Sequence, residues 1–292
     1  MRRISTVITD LDNTLYDWVE IWYRPFRAML ERLVADSGVP QAVLEQDFKE
    51  VHQRHGTSEY AFAIEELRSL IQKHPGEDLT KRYAAAIQVY RSQRRDVLAL
   101  YPGVADSLKT LKGLGCLLIA YTESTEFYTA YRLKKLHLDL LLDYLYSPQD
   151  HDLPSGLSRQ QIRSYPPEHY RLQNVVQAHT PSGELKPNPR ILRDIIDTVG
   201  ANIEETVYVG DSLMKDIVMA KAAGVTDVWA KYGVAQNRPA YELLRNVTHW
   251  TPTSVEREKT ISEAELSPSF VLGHSFEEIL TLFEFTAFHR RS

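Results

Sequence analysis

Val7-Ile8-Thr9-Asp10-Leu11-Asp12-Asn13-Thr14-Leu15-Tyr16-Asp17 is the stretch on which the reading of this chain turns. The run from Ile4 to Thr9 is rich in β-branched residues and predicts a buried strand, with two carboxylates one residue apart where it ends. In an extended chain Asp10 and Asp12 point to the same side, because side chains alternate across a strand. Like charges that close repel, so the pair needs a cation between them or a proton on one of them. A plainer alternative is an Asp/Asn turn closing a hairpin, a common use of these residues. The rest of the chain has to decide.

Downstream, residues 17 to 98 contain no convincing strand. Helical patterns follow one another over roughly 17–36, 41–55, 58–74 and 80–98, punctuated by Gly38-Val39-Pro40, Gly56-Thr57-Ser58 and Pro75-Gly76. Four amphipathic helices with short connections predict a small bundle, inserted just after the first strand and expected over that strand's carboxyl end. The pattern then changes. Pro102 to Gly113 reads as a helix, Cys116 to Tyr121 as a strand, and a further helix runs to about His137. Asp143 to Ser147 and Thr206 to Gly210 read as strands, as do Thr226 to Ala230 and Ser269 to Leu272. Asn188-Pro189 marks a helix start and Gly200 its end, Lys215 to Ala223 is helical, and a helix from about Phe276 closes the chain.

Alternating strands and helices predict an α/β fold, a Rossmann-like parallel sheet with helices on both faces. The expected division is a sheet domain of 1–16 and 99–292 with a helical domain of 17–98. Ligands bind such sheets outside the carboxyl ends of the strands. Asp10 and Asp12, Thr122 and Asp211 all fall at those ends, a coincidence that unrelated turn chemistry would not produce.

The 292 residues are 43% hydrophobic and 25% charged, enough for a full core. A net charge of -5 argues against nucleic acid as the main partner. The single cysteine, Cys116, lies in an apolar run and reads as a buried small hydrophobe. No apolar stretch approaches membrane-spanning length and no apolar signal region opens the chain, so a cytoplasmic protein without a membrane partner is expected.

At this point the chain resembles the haloacid dehalogenase-like (HAD) hydrolase superfamily, in the subfamily I branch whose helical cap follows the first strand. Asp10-Leu11-Asp12-Asn13-Thr14 matches the first motif of that family and Thr122 the second. Lys186-Pro187 matches the lysine motif, and Gly210-Asp211-Ser212 through Asp216 the fourth. The motifs stand in the family's order and span roughly residues 4–230.

The resemblance implies a Mg²⁺-dependent phosphatase acting on a small phosphorylated metabolite. Asp10 would attack phosphorus to form an aspartyl-phosphate. Mg²⁺ would take the Asp10 carboxylate, the Asp12 backbone carbonyl and the Asp211 carboxylate as hard oxygen ligands. Asp216 would act through water or by holding Lys186. Asp12 would protonate the leaving oxygen and then deprotonate the attacking water. Thr122, with the Leu11 and Asn13 amides, would bind phosphoryl oxygens, and Lys186 would offset the accumulated charge. The alternatives are a nucleoside monophosphate 5′-nucleotidase or phosphomutase of the same family, and a non-catalytic binding protein on the same fold. Dehalogenation is disfavoured, because a halide leaving group needs no proton and hence no Asp12.

Two departures stand out. Many relatives carry Asn after the second-motif residue, whereas this chain has Glu123 beside the phosphate pocket; it must cap the helix, face solvent or meet a cation. The stretch from Pro148 to Glu184 is also long, and carries His151, Arg159, Arg163, Tyr165, His169 and Arg171. That stretch could bind the remote part of a substrate or be a solvated excursion, and the His151/His169 spacing matches no strong metal pattern. Trp18 and Trp22, four apart on one helix, read as core of the helical domain. Tyr16, Arg24 and the His55-Gly56-Thr57-Ser58 loop are faintly similar to nucleotidases of the family. No role is assigned to 233–266.

Overall fold

Strands that are apolar on both faces need cover on both faces, which is the condition of a parallel α/β sheet. In the computed structural model, β2 (Thr6–Thr9), β3 (Leu117–Tyr121), β6 (Thr206–Gly210) and β7 (Thr226–Ala230) are buried at every position. Together with β4 (Tyr144–Ser147), β5 (Val176–His179) and β8 (Phe270–Leu272) they form a seven-stranded sheet of order β5-β4-β3-β2-β6-β7-β8, parallel throughout. The structure describes residues 1–150, 153, 158, 166–261 and 263–291.

β2 lies in the middle, between β3 and β6, with Thr9 opposite both Ala120 and Val209. The chain therefore leaves the sheet at Asp10, Thr122 and Asp211 side by side on one edge. One face is covered by the helix Pro189–Val199, whose Ile191, Leu192, Ile195 and Ile196 pack with Ile119, Tyr121 and Tyr208. Its start is set as the sequence predicts: the Asn188 side chain accepts from the Arg190 and Ile191 amides, and Gly200 ends it in the left-handed region.

Several expectations are corrected. The run Ile4 to Thr9 is not one strand, because the chain changes sheets at Ser5. β1 (Arg3–Ile4) pairs in parallel with β9 (Glu284–Phe285) in a separate two-stranded sheet. The expected helix 58–74 is a 3₁₀ turn, Ala63–Glu66, followed by a helix, Arg68–Lys73, and 80–98 breaks at Tyr83 into Leu79–Arg82 and Ala84–Asp96. The stretch 148–184 holds an unforeseen edge strand, β5.

Two compact units divide the chain: Met1–Asp17, Ala99–Val234 and Ile261–Ser292 form the sheet unit, and Trp18–Leu98 with Ala235–Thr260 form the helical unit. The sequence reading places all of 99–292 with the sheet, but Ala235–Thr260 packs with the helices. The cause is the apolar stripe of the helix Pro239–Val247: Tyr241, Leu244 and Val247 enter the same core as Trp22, Leu30 and Phe48. An aromatic ladder runs through that core, with Trp22 on Phe26 at 4.6 Å and Phe26 edge-on to Phe48 at 4.9 Å. Trp18 and Trp22 are part of this packing, as their spacing suggests. Among the described residues no helix is long and apolar enough to cross a membrane.

Candidate active site

The site is built where β2, β3 and β6 end. Asp10 is anchored to the sheet through its amide, which donates to the Val209 carbonyl at 2.8 Å. The chain then turns sharply: the Thr14 and Leu15 amides donate to the Leu11 carbonyl, and Asn13 adopts φ 59°. The Asn13 amide donates to the Tyr16 carbonyl at 2.8 Å, so it closes this turn and is not free to take a phosphoryl oxygen. Two residues brace the turn from the far side. The Tyr232 hydroxyl donates to the Thr14 carbonyl at 2.5 Å, and Gly233 lies so close that a Cβ there would stand 1.7 Å from the Asn13 carbonyl oxygen.

Lys186 joins the motifs. Its Nζ lies 2.7 Å from Asp10 Oδ1 and 3.0 Å from Asp216 Oδ1, over the rings of Tyr121 and Tyr208. Asp216 also accepts from the Tyr208 hydroxyl at 2.9 Å and the Ser212 amide at 3.1 Å. With these bonds it holds Lys186 and the loop after β6. Its carboxylate folds back over Gly210, where a Cβ would come within 2.3 Å of Asp216 Cγ. Thr122 is buried, its hydroxyl oxygen accepts from the Ser124 amide at 3.1 Å, and the hydroxyl proton is left to donate.

Carboxylate oxygens of Asp10, Asp211 and Asp216 lie within 4.8 Å of one another. Burial raises the Asp10 carboxyl to about 7, against the charge of Lys186 beside it, with Asp216 and Asp12 adding to the rise. Burial likewise pushes Asp211 well above the usual carboxylate range, helped by Asp216 and Asp10. Burial would pull the Lys186 ammonium down, but Asp10 and Asp216 outweigh it and hold it well above its ordinary value. Three carboxylates around one ammonium leave a formal charge of about -2, which hard oxygen donors and a dication would balance. The donor set fits Mg²⁺.

Glu123 is half-buried and meets a cation. One oxygen accepts from the Lys186 amide at 2.7 Å and the other pairs with Lys215. It thus ties the loops after β3 and β6 to the lysine motif. Asp12 is turned toward residues that sequence reading missed: the Ser124 hydroxyl donates to its Oδ2, and Arg132 lies 3.5 Å from its Oδ1. The available signal for Arg132 was a charged residue among the buried Thr129, Ala130 and Leu133 of the helix Glu126–Lys135. The expectations for His151, Arg159, Arg163 and Tyr165, and for the His169 side chain, fall outside the described residues. Arg171 is exposed, and its carbonyl accepts from Lys134 at 3.0 Å. In the helical unit Arg24 is paired with Glu20, and Gly56 ends the helix Gln41–His55 in the left-handed region.

Comparison with known proteins follows the same lines. Residues 4–164 match the haloacid dehalogenase-like hydrolase family, and residues 185–261 the HAD-hydrolase-like family. Phosphoglycolate phosphatase 1 of Pseudomonas aeruginosa is 26% identical over 270 residues, covering 90% of this chain and 85% of its own length. Glyceraldehyde 3-phosphate phosphatase of Pyrococcus furiosus is 25% identical over 236 residues, covering 80% of this chain and 83% of its own. The structure of a predicted phosphoglycolate phosphatase from Haemophilus somnus shares the fold at a TM-score of 0.52 and 18% identity, over 96% of this chain and 97% of that one. With the parallel sheet, the four motifs gathered at its edge and a family match over more than half its length, the chain belongs to the haloacid dehalogenase-like hydrolases and is an enzyme of that family.

Proposed function

We propose that this hydrolase is a Mg²⁺-dependent phosphatase that cleaves a small phosphorylated metabolite through an aspartyl-phosphate on Asp10. The observation that carries the reading is the buried Asp10–Lys186–Asp216 cluster, with Asp211 beside it, at the carboxyl end of β2. Burying several carboxylates around one lysine destabilises a fold, and a protein using this sheet only as a scaffold would gain by replacing them.

In the first step an Asp10 oxygen bonds to phosphorus while the bond from phosphorus to the leaving oxygen breaks, and Asp12 gives that oxygen its proton. In the second step Asp12 takes a proton from water, the water oxygen bonds to phosphorus, and the acyl-phosphate bond breaks to release phosphate and free Asp10. Lys186 stays charged throughout and offsets the developing negative charge, and the Thr122 hydroxyl and Leu11 amide donate to phosphoryl oxygens. Asp10, Asp211 and the Asp12 carbonyl would hold Mg²⁺, which would supply the remaining charge neutralisation between carboxylate and phosphate. The relatives named for phosphoglycolate and glyceraldehyde 3-phosphate support a two- or three-carbon phosphate ester as substrate.

The test is phosphate release from an aryl phosphate by the full chain, with Mg²⁺ or with chelator, followed by phosphoglycolate, glyceraldehyde 3-phosphate and nucleoside monophosphates. Asp10→Asn is expected to lower kcat by about 10⁴-fold or more, as loss of a nucleophile does. Folded protein that releases no phosphate from any of these compounds overturns the reading. A nucleoside monophosphate turned over far better than the short esters would redirect it to a nucleotidase.

A further inference from the structure

Arg132 is 2% exposed, on the inner face of the helix Glu126–Lys135. A buried guanidinium persists where a carboxylate and further contacts meet it. Among the described residues Asp12 is a carboxylate beside it, at 3.5 Å, and the Tyr128 ring flanks it 5.8 Å from the centroid. Ser124 sits between the two charges: its hydroxyl donates to Asp12 Oδ2 and receives Arg132 Nη1 at 3.4 Å. Ser124 is itself pinned, with its amide donating to the Thr122 hydroxyl oxygen at 3.1 Å and its carbonyl accepting from the Thr129 hydroxyl at 3.0 Å. The other Asp12 oxygen, Oδ1, is buried, and the buried Tyr16 hydroxyl stands near Asp12, held well above its ordinary range by burial and by the charge and hydrogen-bonding pull of Asp12.

The carboxylate is therefore asymmetric. One oxygen is clamped, and the other is aligned by a charge that leaves it open to a further donor. Proton transfer needs such a fixed line between carboxylate and reacting oxygen, and small misplacement is costly.

We infer that Arg132, acting with Ser124, is a positioning residue that holds the Asp12 carboxylate so that Oδ1 exchanges the proton with the leaving oxygen and the attacking water. This rests on the reading of Asp12 as the general acid and base. A merely structural ion pair, tying the helix to the turn after β2, would affect folding and leave the kinetics of each substrate in proportion.

The experiment compares kcat/KM for two substrates of the full chain with Mg²⁺. Glycerol phosphate has an alkoxide leaving group that needs a proton, and 4-nitrophenyl phosphate has a phenolate that does not. Arg132→Ala is expected to lower kcat/KM for glycerol phosphate by about 10²-fold and for 4-nitrophenyl phosphate by less than about tenfold. Arg132→Lys should recover part of the difference, and Ser124→Ala should shift the ratio in the same direction. Asp12→Asn sets the upper limit of the effect. Equal losses on both substrates, or none, in folded variants would overturn the inference. Should Arg132→Ala fail to fold, the ratio is read from Arg132→Lys and Ser124→Ala, and an unchanged ratio in both is equally decisive. A wild-type protein inactive on both esters instead removes the phosphatase reading itself, so the two failures are distinct.

Discussion

The tip of β2 and the core of the helical unit both bury titratable groups, and they resolve the cost in opposite ways. In the helical unit His52 lies 2% exposed beside Phe48, its Nδ1 donating to the Val247 carbonyl at 2.6 Å. Burial lowers the imidazole to about 4, against the pull of that hydrogen bond, so it is neutral at physiological pH. At the tip of β2 the same desolvation raises Asp10 to about 7, but Lys186 remains charged beside it and Asp216 and Asp211 crowd the same space. His52 has shed its charge and rests on apolar packing. The tip of β2 keeps charges that cost the fold stability and that a phosphate and a dication would use. Under the proposed function, the contrast separates residues kept for stability from residues kept for chemistry.

Three measurements sharpen it, taken from the largest expected effect to the smallest. Phe48→Ala removes a fully buried ring from the aromatic ladder and should cost about 3–5 kcal/mol in denaturant unfolding. A cost below about 1 kcal/mol would mean the ladder is not what holds the helical unit. The second concerns pH. Because native His52 stays neutral down to about 4 while the unfolded imidazole takes a proton near 6.5, stability is present above pH 6.5 and falls as pH drops toward 4. The full loss corresponds to about 3 kcal/mol, and His52→Gln should flatten that part of the pH profile relative to wild type. An unchanged profile would show that His52 accepts a proton in the folded protein.

The third has the opposite sign. Asp10 is raised from 3.8 to about 7, so its contribution is favourable below pH 4 and is lost as pH rises through about 7. At pH 8 with chelator, Asp10→Asn should therefore raise Tm by about 2–4 °C, equivalent to about 1 kcal/mol. Mg²⁺ should abolish the advantage by binding the wild-type protein alone. A variant less stable than wild type under chelator would break the comparison, placing Asp10 among the residues that stabilise the fold.

What was legible in the sequence was whatever depends on neighbours along the chain. Asp10 and Asp12 are two apart, Asn188-Pro189 and Gly200 frame one helix, and apolar runs of four or five residues mark the central strands. Parallel topology then carries strand ends to one edge, so Asp10, Thr122 and Asp211 could be assembled from periodicity, and the motif resemblance added Lys186 and Asp216. Only the tertiary structure decided which charges meet. Glu123 reaches the Lys186 amide across 63 residues, and the Ser124 hydroxyl reaches Asp12 across 112. The Asn13 amide turns inward to Tyr16, and Ala235–Thr260 joins helices that precede it by nearly two hundred residues. A helical pattern shows that a face is apolar but not which partner covers it, and a lone arginine is polar until a fold buries it. Those pairings are set by packing and desolvation, which act through space and leave no period in the chain.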